Sequence, residues 1–285
     1  MKNIILFLLS AFCTITITAQ TPDTSVHYGD NVKAAHTADI RGIKMYYEIY
    51  GEGKPLLIIH GNSGSIGDFQ FQIPHFAKKY KVIVADSRDH GKTLDTLHMT
   101  DSLSYEMMSD DYAALLDYLK IDSCFVLGWS DGGINGLLLA MRHPEKVKKL
   151  AITGANLWPD STAVEPFILK MFSMQYNMMK LQKETTVLKV MKRHYKLLLT
   201  QPHISTKELM QIACPTLVIG GDHDVIKPEH TLLIAQSIPK SNVWIVPNAG
   251  HGVLVFENKD KFNAEVDAFF NRDYKKIAGY ELFKH

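Results

Sequence analysis

Three cysteines in 285 residues are too few for a disulfide framework or a cysteine-rich zinc site. Charge of either sign is not in excess. The formal net charge is +1, with no basic cluster and no acidic tail, so nothing in the overall balance favours a nucleic-acid or membrane-surface partner. No apolar run reaches membrane-spanning length: the N-terminal one extends from Ile4 to Phe12, against the ~20 residues that a bilayer-crossing helix needs. The chain also lacks H-E-x-x-H, a phosphate loop ending in Lys-Ser/Thr, internal repeats, low-complexity tracts and long linkers. What remains is ordinary globular composition, 46% hydrophobic and 21% charged, long enough for one large domain or one domain with an insertion.

The N-terminal "MKNIILFLLSAFCTITITAQ" runs from a lysine through an apolar stretch to small polar residues ending at Ala19. That is the order of a secretory signal. Residues 1–19 are expected to be removed near Ala19–Gln20, placing the mature chain in the periplasm or outside the cell. Cys13 raises a lipid-anchored form, but Phe12 stands where such signals carry a small residue, so an unlipidated protein is expected. Cys124 and Cys214 each open an apolar strand-like run and read as buried free thiols.

Further along, "KMYYEIYG", "PLLIIHG", "KVIVAD", "CFVLGW" and "KLAITGA" read as strands, several of them fully apolar and therefore central. Helical segments separate them. "FQFQIPHFAKKY" predicts a helix broken near Pro74, "SYEMMSDDYAALLDYLKI" one capped by Ser104, and "DGGINGLLLAMRH" a third. The alternation stops over 158–207, which is helical and methionine-rich, carrying Met171, Met174, Met178, Met179 and Met191 with Phe167 and Phe172. It resumes with the strand "CPTLVIGG", a helix around "HTLLIAQSI", the strand "NVWIVPN" and the helix "NKDKFNAEVDAFF". The expected fold is α/β, a mostly parallel sheet flanked by helices, with core segments 20–157 and 208–285 and a helical insertion at 158–207. Methionine-rich faces repack around varied apolar ligands, and they equally serve as helix core.

Gly128-Trp129-Ser130-Asp131-Gly132 fits G-x-S-x-G, with a buried strand before it and a helix after it. In that context the pattern marks a sharp turn that lifts a serine above the sheet edge, at a helix N-terminus that favours negative charge. Such a serine needs a base. Of thirteen histidines, His251 lies in a glycine-flanked loop after the last strand, where the elbow arrangement requires one. An acid is expected after the preceding strand, where "GGDHDVIKP" offers Asp222 and Asp224; the other would brace a turn or cap a helix. No metal-ligand spacing accompanies this D-H-D cluster, and neither metal nor cofactor is expected. The glycine-rich loop "HGNSGS" can aim the Asn62 N–H at a developing oxyanion, with the Asp131 N–H as its partner. His60 reads as a loop brace.

In order, "HGNSGS", "ADSRDHGKT", "GWSDGG", "GGDHDVIKP" and "NAGH" resemble the motifs of α/β-hydrolase-fold serine hydrolases, over residues 40 to 271. The stretch after Gly128 is most similar to valacyclovir-hydrolase-like carboxylesterases, and somewhat to carbon–carbon bond hydrolases. The resemblance implies Ser130 as nucleophile, His251 as base and Asp224 as acid, since Asp224 fills the aspartate of G-x-x-D-x-x-x-P from Gly221 to Pro228. It also implies a cap at the helical insertion. One departure stands out: "SRDHGKT" replaces the usual R-G-H-G-x-S loop. The expected activity is cofactor-free cleavage of a small carboxylic ester through an acyl-enzyme. Lactone or carbon–carbon bond cleavage by the same triad, and a non-catalytic binder on the same scaffold, are the alternatives.

Overall fold

The computed structural model describes residues 26–95 and 103–276. The expected leader, with Cys13, lies outside the described residues. The strands are β1 (Ala35–Ile40), β2 (Ile43–Tyr50), β3 (Lys54–Ile59), β4 (Tyr80–Ala85), β5 (Cys124–Trp129), β6 (Val147–Thr153), β7 (Thr216–Gly221) and β8 (Ser241–Val246). The helices are α1 (Gln72–Phe76), α2 (Tyr105–Tyr118), α3 (Asp131–Arg142), α4 (Pro166–Lys180), α5 (Thr186–Thr200), α6 (Thr206–Leu209), α7 (Pro228–Ser237) and α8 (Lys259–Asn271). All eight strands form one sheet in the order β1-β2-β4-β3-β5-β6-β7-β8. β2 pairs antiparallel with β1 and β4, and the remaining pairings are parallel.

The continuous apolar runs follow from covering both faces. Along β3, Leu57 and Ile59 join one core with Tyr112 of α2, Leu137 of α3 and Ile234 of α7. Leu56 and Ile58 point the other way, into a second core with Phe76 of α1 and Phe262 and Phe270 of α8. A strand whose alternate residues feed two cores has no polar face to show. Because β3 and β5 to β8 run parallel, the loops that follow them gather at one sheet edge, where open α/β sheets bind ligands.

Two expectations are corrected. β1 precedes "KMYYEIYG", the first strand expected, in a stretch where "AHTADI" has little apolar content. It forms as an edge strand, paired to β2 through the tight turn at Arg41 and Gly42. The helix expected over "FQFQIPHFAKKY" is reduced to a 3-10 turn at Ile66–Phe69 and the five-residue α1. Pro74 does not interrupt α1; it sits in its first turn, where its missing N–H leaves no intrahelical bond unmade. By contrast, Ser104 caps α2 as expected, its hydroxyl accepting the Met107 N–H at 3.2 Å. Both described cysteines are free thiols, Cys124 buried and Cys214 half-buried.

Between β6 and β7 the chain forms α4, α5 and the short α6. α4 and α5 pack through Phe172 edge-on to Tyr195, with ring centroids 5.8 Å apart, and through the Tyr195 hydroxyl donating to Gln175 Oε1 at 2.6 Å. Of the methionines and phenylalanines here, only Met179 is buried.

The departing "SRDHGKT" loop has its own anchor. Buried Arg88 donates to both Asp111 carboxylate oxygens at 2.8 Å and to Asp95 at 2.9 Å. Burial pushes the Asp111 carboxyl up, and Arg88 and Arg41 pull it back down. Removing the guanidinium takes the shared cation from two buried carboxylates, Asp95 and Asp111, although Arg41 still pairs with Asp111 at 2.9 Å. Arg88→Met is therefore expected to cost about 3–5 kcal/mol of folding stability in urea unfolding at neutral pH, the range for breaking a buried pair. A loss under about 1 kcal/mol would show that this network is not what holds the loop.

Candidate active site

The link between β5 and α3 is a single residue. Ser130 has φ 57° and ψ −121°, a left-handed conformation costly for a residue with a Cβ. Three backbone bonds hold it there. Its N–H donates to Thr153 O at 2.8 Å, and its carbonyl accepts from Gly133 at 2.8 Å and Ile134 at 3.2 Å. The flanking glycines are required by close approach. A Cβ on Gly128 would lie 2.2 Å from Gly132 O, and one on Gly132 would lie 2.0 Å from Ile59 O. The first turn of α3 thus presses against β3 and presents its free N–H groups at the serine.

His251 reaches this serine from the loop after β8. Its Nε2 lies 3.0 Å from Ser130 Oγ, and its Nδ1 lies 2.7 Å from Asp224 Oδ1. A carboxylate only accepts, so Nδ1 carries the proton and, in the neutral ring, Nε2 is left to accept from the serine hydroxyl. Asp224 is buried in the turn after β7, where Oδ1 also accepts the Ile226 N–H at 3.0 Å. Asp222 points elsewhere, accepting the Ala249 N–H at 3.0 Å and bracing the histidine loop. Asp160 is exposed and bonded to Thr162.

Two positioning groups here escaped sequence reading. A Cβ on Gly154, at φ +66°, would lie 2.7 Å from His251 Cε1, so only glycine admits the imidazole. The Trp129 indole N–H donates to the His251 carbonyl at 2.9 Å. Neither carries a sequence signal, because each acts across more than ninety residues of chain.

On the other side, the loop after β3 lies against Ser130: a Cβ on Gly61 would sit 3.1 Å from Ser130 Cβ. Asn62 and Asp131 are joined directly, Asn62 Nδ2 donating to Asp131 Oδ2 at 2.8 Å. Among the described residues, no protein acceptor takes the backbone N–H of either. A further chain of contacts ties this pair to α5. Ser63 Oγ donates to Asn62 Oδ1 at 2.9 Å and lies 3.1 Å from His194 Nδ1, while His194 Nε2–H donates to Asp89 O at 3.0 Å. Ser63 and His194 were likewise not singled out from sequence.

Burial decides which histidines can act. His90 stacks on His194 with ring centroids 3.9 Å apart, and His60 lies tilted against His90 at 5.1 Å. Desolvation pushes His60 down to about 4, His90 to about 3 and His194 to about 2, so all three are neutral and structural at ordinary pH. His60 braces, as expected, its Nε2 accepting the Ser87 N–H at 2.9 Å. Among the described residues, no three His, Cys, Asp or Glu side chains converge as a metal site.

Asp131 is also buried, and desolvation pushes its carboxyl up to about 6, against the Asn62 hydrogen bond that pulls it down. A carboxyl whose pKa is raised on folding loses stability as pH rises from its unfolded value, near 4, towards 6. Asp131→Asn keeps an acceptor for Asn62 and removes the buried charge. It is expected to stabilise the protein at neutral pH by up to about 3 kcal/mol, with the gain fading below about pH 4. Urea unfolding of both proteins across this range is the check, and a gain that does not change with pH would contradict it.

Residues 54–191 match the family model of the alpha/beta hydrolase fold. Serine hydrolase BPHL of Homo sapiens is 26% identical over 262 residues, covering 85% of this chain and 88% of its own. Among solved structures, Est816, described as an N-acyl homoserine lactone degrading enzyme, is 26% identical with a TM-score of 0.66, covering 82% of this chain and 100% of that one. A meta-cleavage product hydrolase from Pseudomonas fluorescens IP01, 22% identical with a TM-score of 0.67, covers 85% of this chain and 99% of its own and shares the fold. The chain is accordingly an enzyme of the α/β-hydrolase fold, related to its serine hydrolases.

Proposed function

We propose that this enzyme cleaves small carboxylic esters through an acyl-enzyme on Ser130. The observation that carries the reading is the unbroken contact from Asp224 through His251 to Ser130, at 2.7 Å and 3.0 Å. In the proposed cycle His251 Nε2 takes the Ser130 proton as Oγ attacks the acyl carbon. Asp224 holds the ring and stabilises the imidazolium. The N–H groups of Asn62 and Asp131, which have no protein acceptor among the described residues, stabilise the tetrahedral oxyanion. His251 then protonates the leaving alcohol, and water repeats the sequence to release the acid. The α4–α5 insertion serves as the cap that shapes the substrate pocket. Lactone opening by the same groups is the second reading, favoured by the likeness to the lactone-degrading Est816. Parallel assays on phenyl esters and on lactones separate the two. A binding protein on this scaffold would leave Ser130 unlabelled by a fluorophosphonate, whereas the catalytic reading requires labelling.

Two sets of variants test the assignment. Ser130→Ala should fold and lose on the order of 10³-fold or more in ester turnover, as triad members act as a unit. Asp224→Asn should cost roughly 10⁴-fold by disturbing the His251 tautomer. Asp222→Asn keeps an oxygen to accept the Ala249 N–H and only weakens that bond by removing its charge, so it should cost no more than about 1.5 kcal/mol of stability, with turnover largely kept. Equal mild effects at both aspartates would place the acid elsewhere.

The N-terminal pattern supports a second proposal, that the protein works outside the cytoplasm as an unlipidated chain beginning near Gln20. Intact-mass analysis from the native host is expected to show that N-terminus. A retained Met1 or a diacylglyceryl group on Cys13 would refute it.

A further inference from the structure

The near-neutral charge of the whole chain conceals an uneven distribution. Residues 166–200, spanning α4, α5 and their connection, hold six lysines and one arginine against one glutamate, a formal net charge of +6 in a chain whose total is +1. Neither helix contains an acidic residue. On α5, Lys189, Lys192, Arg193 and Lys196 are spaced three, four and seven residues from the first, which puts them on one face. Like charges at that spacing repel and weaken the helix that carries them, a strain that a counter-charge relieves.

That face borders a groove. With Tyr176 and Lys180 of α4, the four side chains line a depression of about 430 Å³ between the two helices. The Lys180 ammonium lies over the Tyr176 ring, 4.9 Å from its centroid. Glu184 of the connection completes the lining and pairs with Lys192. Among the described residues, Lys180, Lys189 and Lys196 have no carboxylate partner. Arg193 is the most buried member, 7% exposed. Its Nη1 pairs with Asp89 of the loop after β4, whereas its buried Nε has no hydrogen-bond acceptor among the described residues. A buried guanidinium N–H without an acceptor is an exception that asks for a missing partner. With both carboxylates counted, five cations leave the groove a net charge of +3.

Residue type and size select the ligand. Planar carboxylates are matched by the bidentate fork of arginine, and here the single arginine already holds Asp89. The other four cations are lysines, point charges on flexible stems that bind tetrahedral phosphate without demanding one orientation. They come from two walls: Lys180 from α4, and Lys189, Lys192 and Lys196 from α5. One phosphate ion fills only a small part of about 430 Å³. A molecule with several phosphate groups can meet the lysines of both walls at once.

We infer that the groove between α4 and α5 binds a small molecule carrying two or more phosphate groups, held between Lys180 on one wall and Lys189, Lys192 and Lys196 on the other, above Arg193. The inference is independent of the ester-cleaving reading. Its test is calorimetric titration of the full chain with tripolyphosphate, orthophosphate and citrate, the last a multivalent anion without phosphate. Tripolyphosphate is expected to bind saturably, one per chain, at least about tenfold more tightly than either of the others, and to weaken as salt shortens the screening length. Lys189→Gln with Lys196→Gln, which removes two exposed charges from one wall, should weaken it about tenfold or more. Lys180→Gln on the opposite wall should weaken it about threefold or more. Lys33→Gln with Lys54→Gln, which removes the same charge outside the groove, should leave affinity within about twofold. Unchanged circular dichroism and urea midpoints establish that the variants fold. No saturable binding of tripolyphosphate overturns the inference. So does citrate binding as tightly, which would make the groove a general anion trap. Equal losses inside and outside the groove would reduce the binding to overall charge and overturn it as well.

Discussion

Between β5 and α3, a residue with a side chain is held at φ 57°, and the rest of the site is arranged around keeping it there. The conformation costs free energy of order 1–3 kcal/mol, which neighbouring backbone bonds must outweigh. They do so because α3 starts immediately after the strand and lies so close to β3 that no Cβ fits at Gly128 or Gly132. That same closeness brings Gly61 against Ser130 and joins the side chains of Asn62 and Asp131 beside it. His251 approaches from the other side, through the space that Gly154 leaves open.

Desolvation then sorts the titratable groups. The packing that buries two apolar cores also encloses His60, His90 and His194, and it turns them into neutral braces between the loops and α5. His251 is the histidine left partly open beside both a carboxylate and the serine, with its ring 26% exposed. Chemical identity alone does not distinguish these residues; their surroundings do. Arg88 follows the same logic, since its three buried contacts to Asp95 and Asp111 explain how a loop with an unusual sequence still holds its shape.

Much of this was legible beforehand because it rests on local pattern. Apolar runs such as Leu56–Ile59 identify central strands, since only a sheet covered on both faces tolerates them. Ser104 announces the start of α2, and the glycines two residues either side of Ser130 announce a turn. β1 escaped because an edge strand draws its stability from pairing rather than from its own apolar content. The extent of α1 escaped because its few apolar residues fit a longer helix equally well. The lysine excess of residues 166–200, a formal net +6, was masked by averaging over the whole chain.

By itself, the sequence determined the strand-helix alternation, the elbow at Ser130, the choice of His251 and the narrowing of the acid to two aspartates, because chain order and short spacing carry those features. Between these two the family resemblance favoured Asp224, and the tertiary structure supplies the contact, placing the Asp224 carboxylate rather than that of Asp222 against His251. The two are separated by His223 alone in the same turn, and which carboxylate meets His251 depends on how that turn packs against the loop after β8. The structure also brought in Gly154, Trp129, Ser63 and His194, whose contacts join segments distant in the chain. Through-space contacts of that kind leave no periodicity or motif in the chain that makes them.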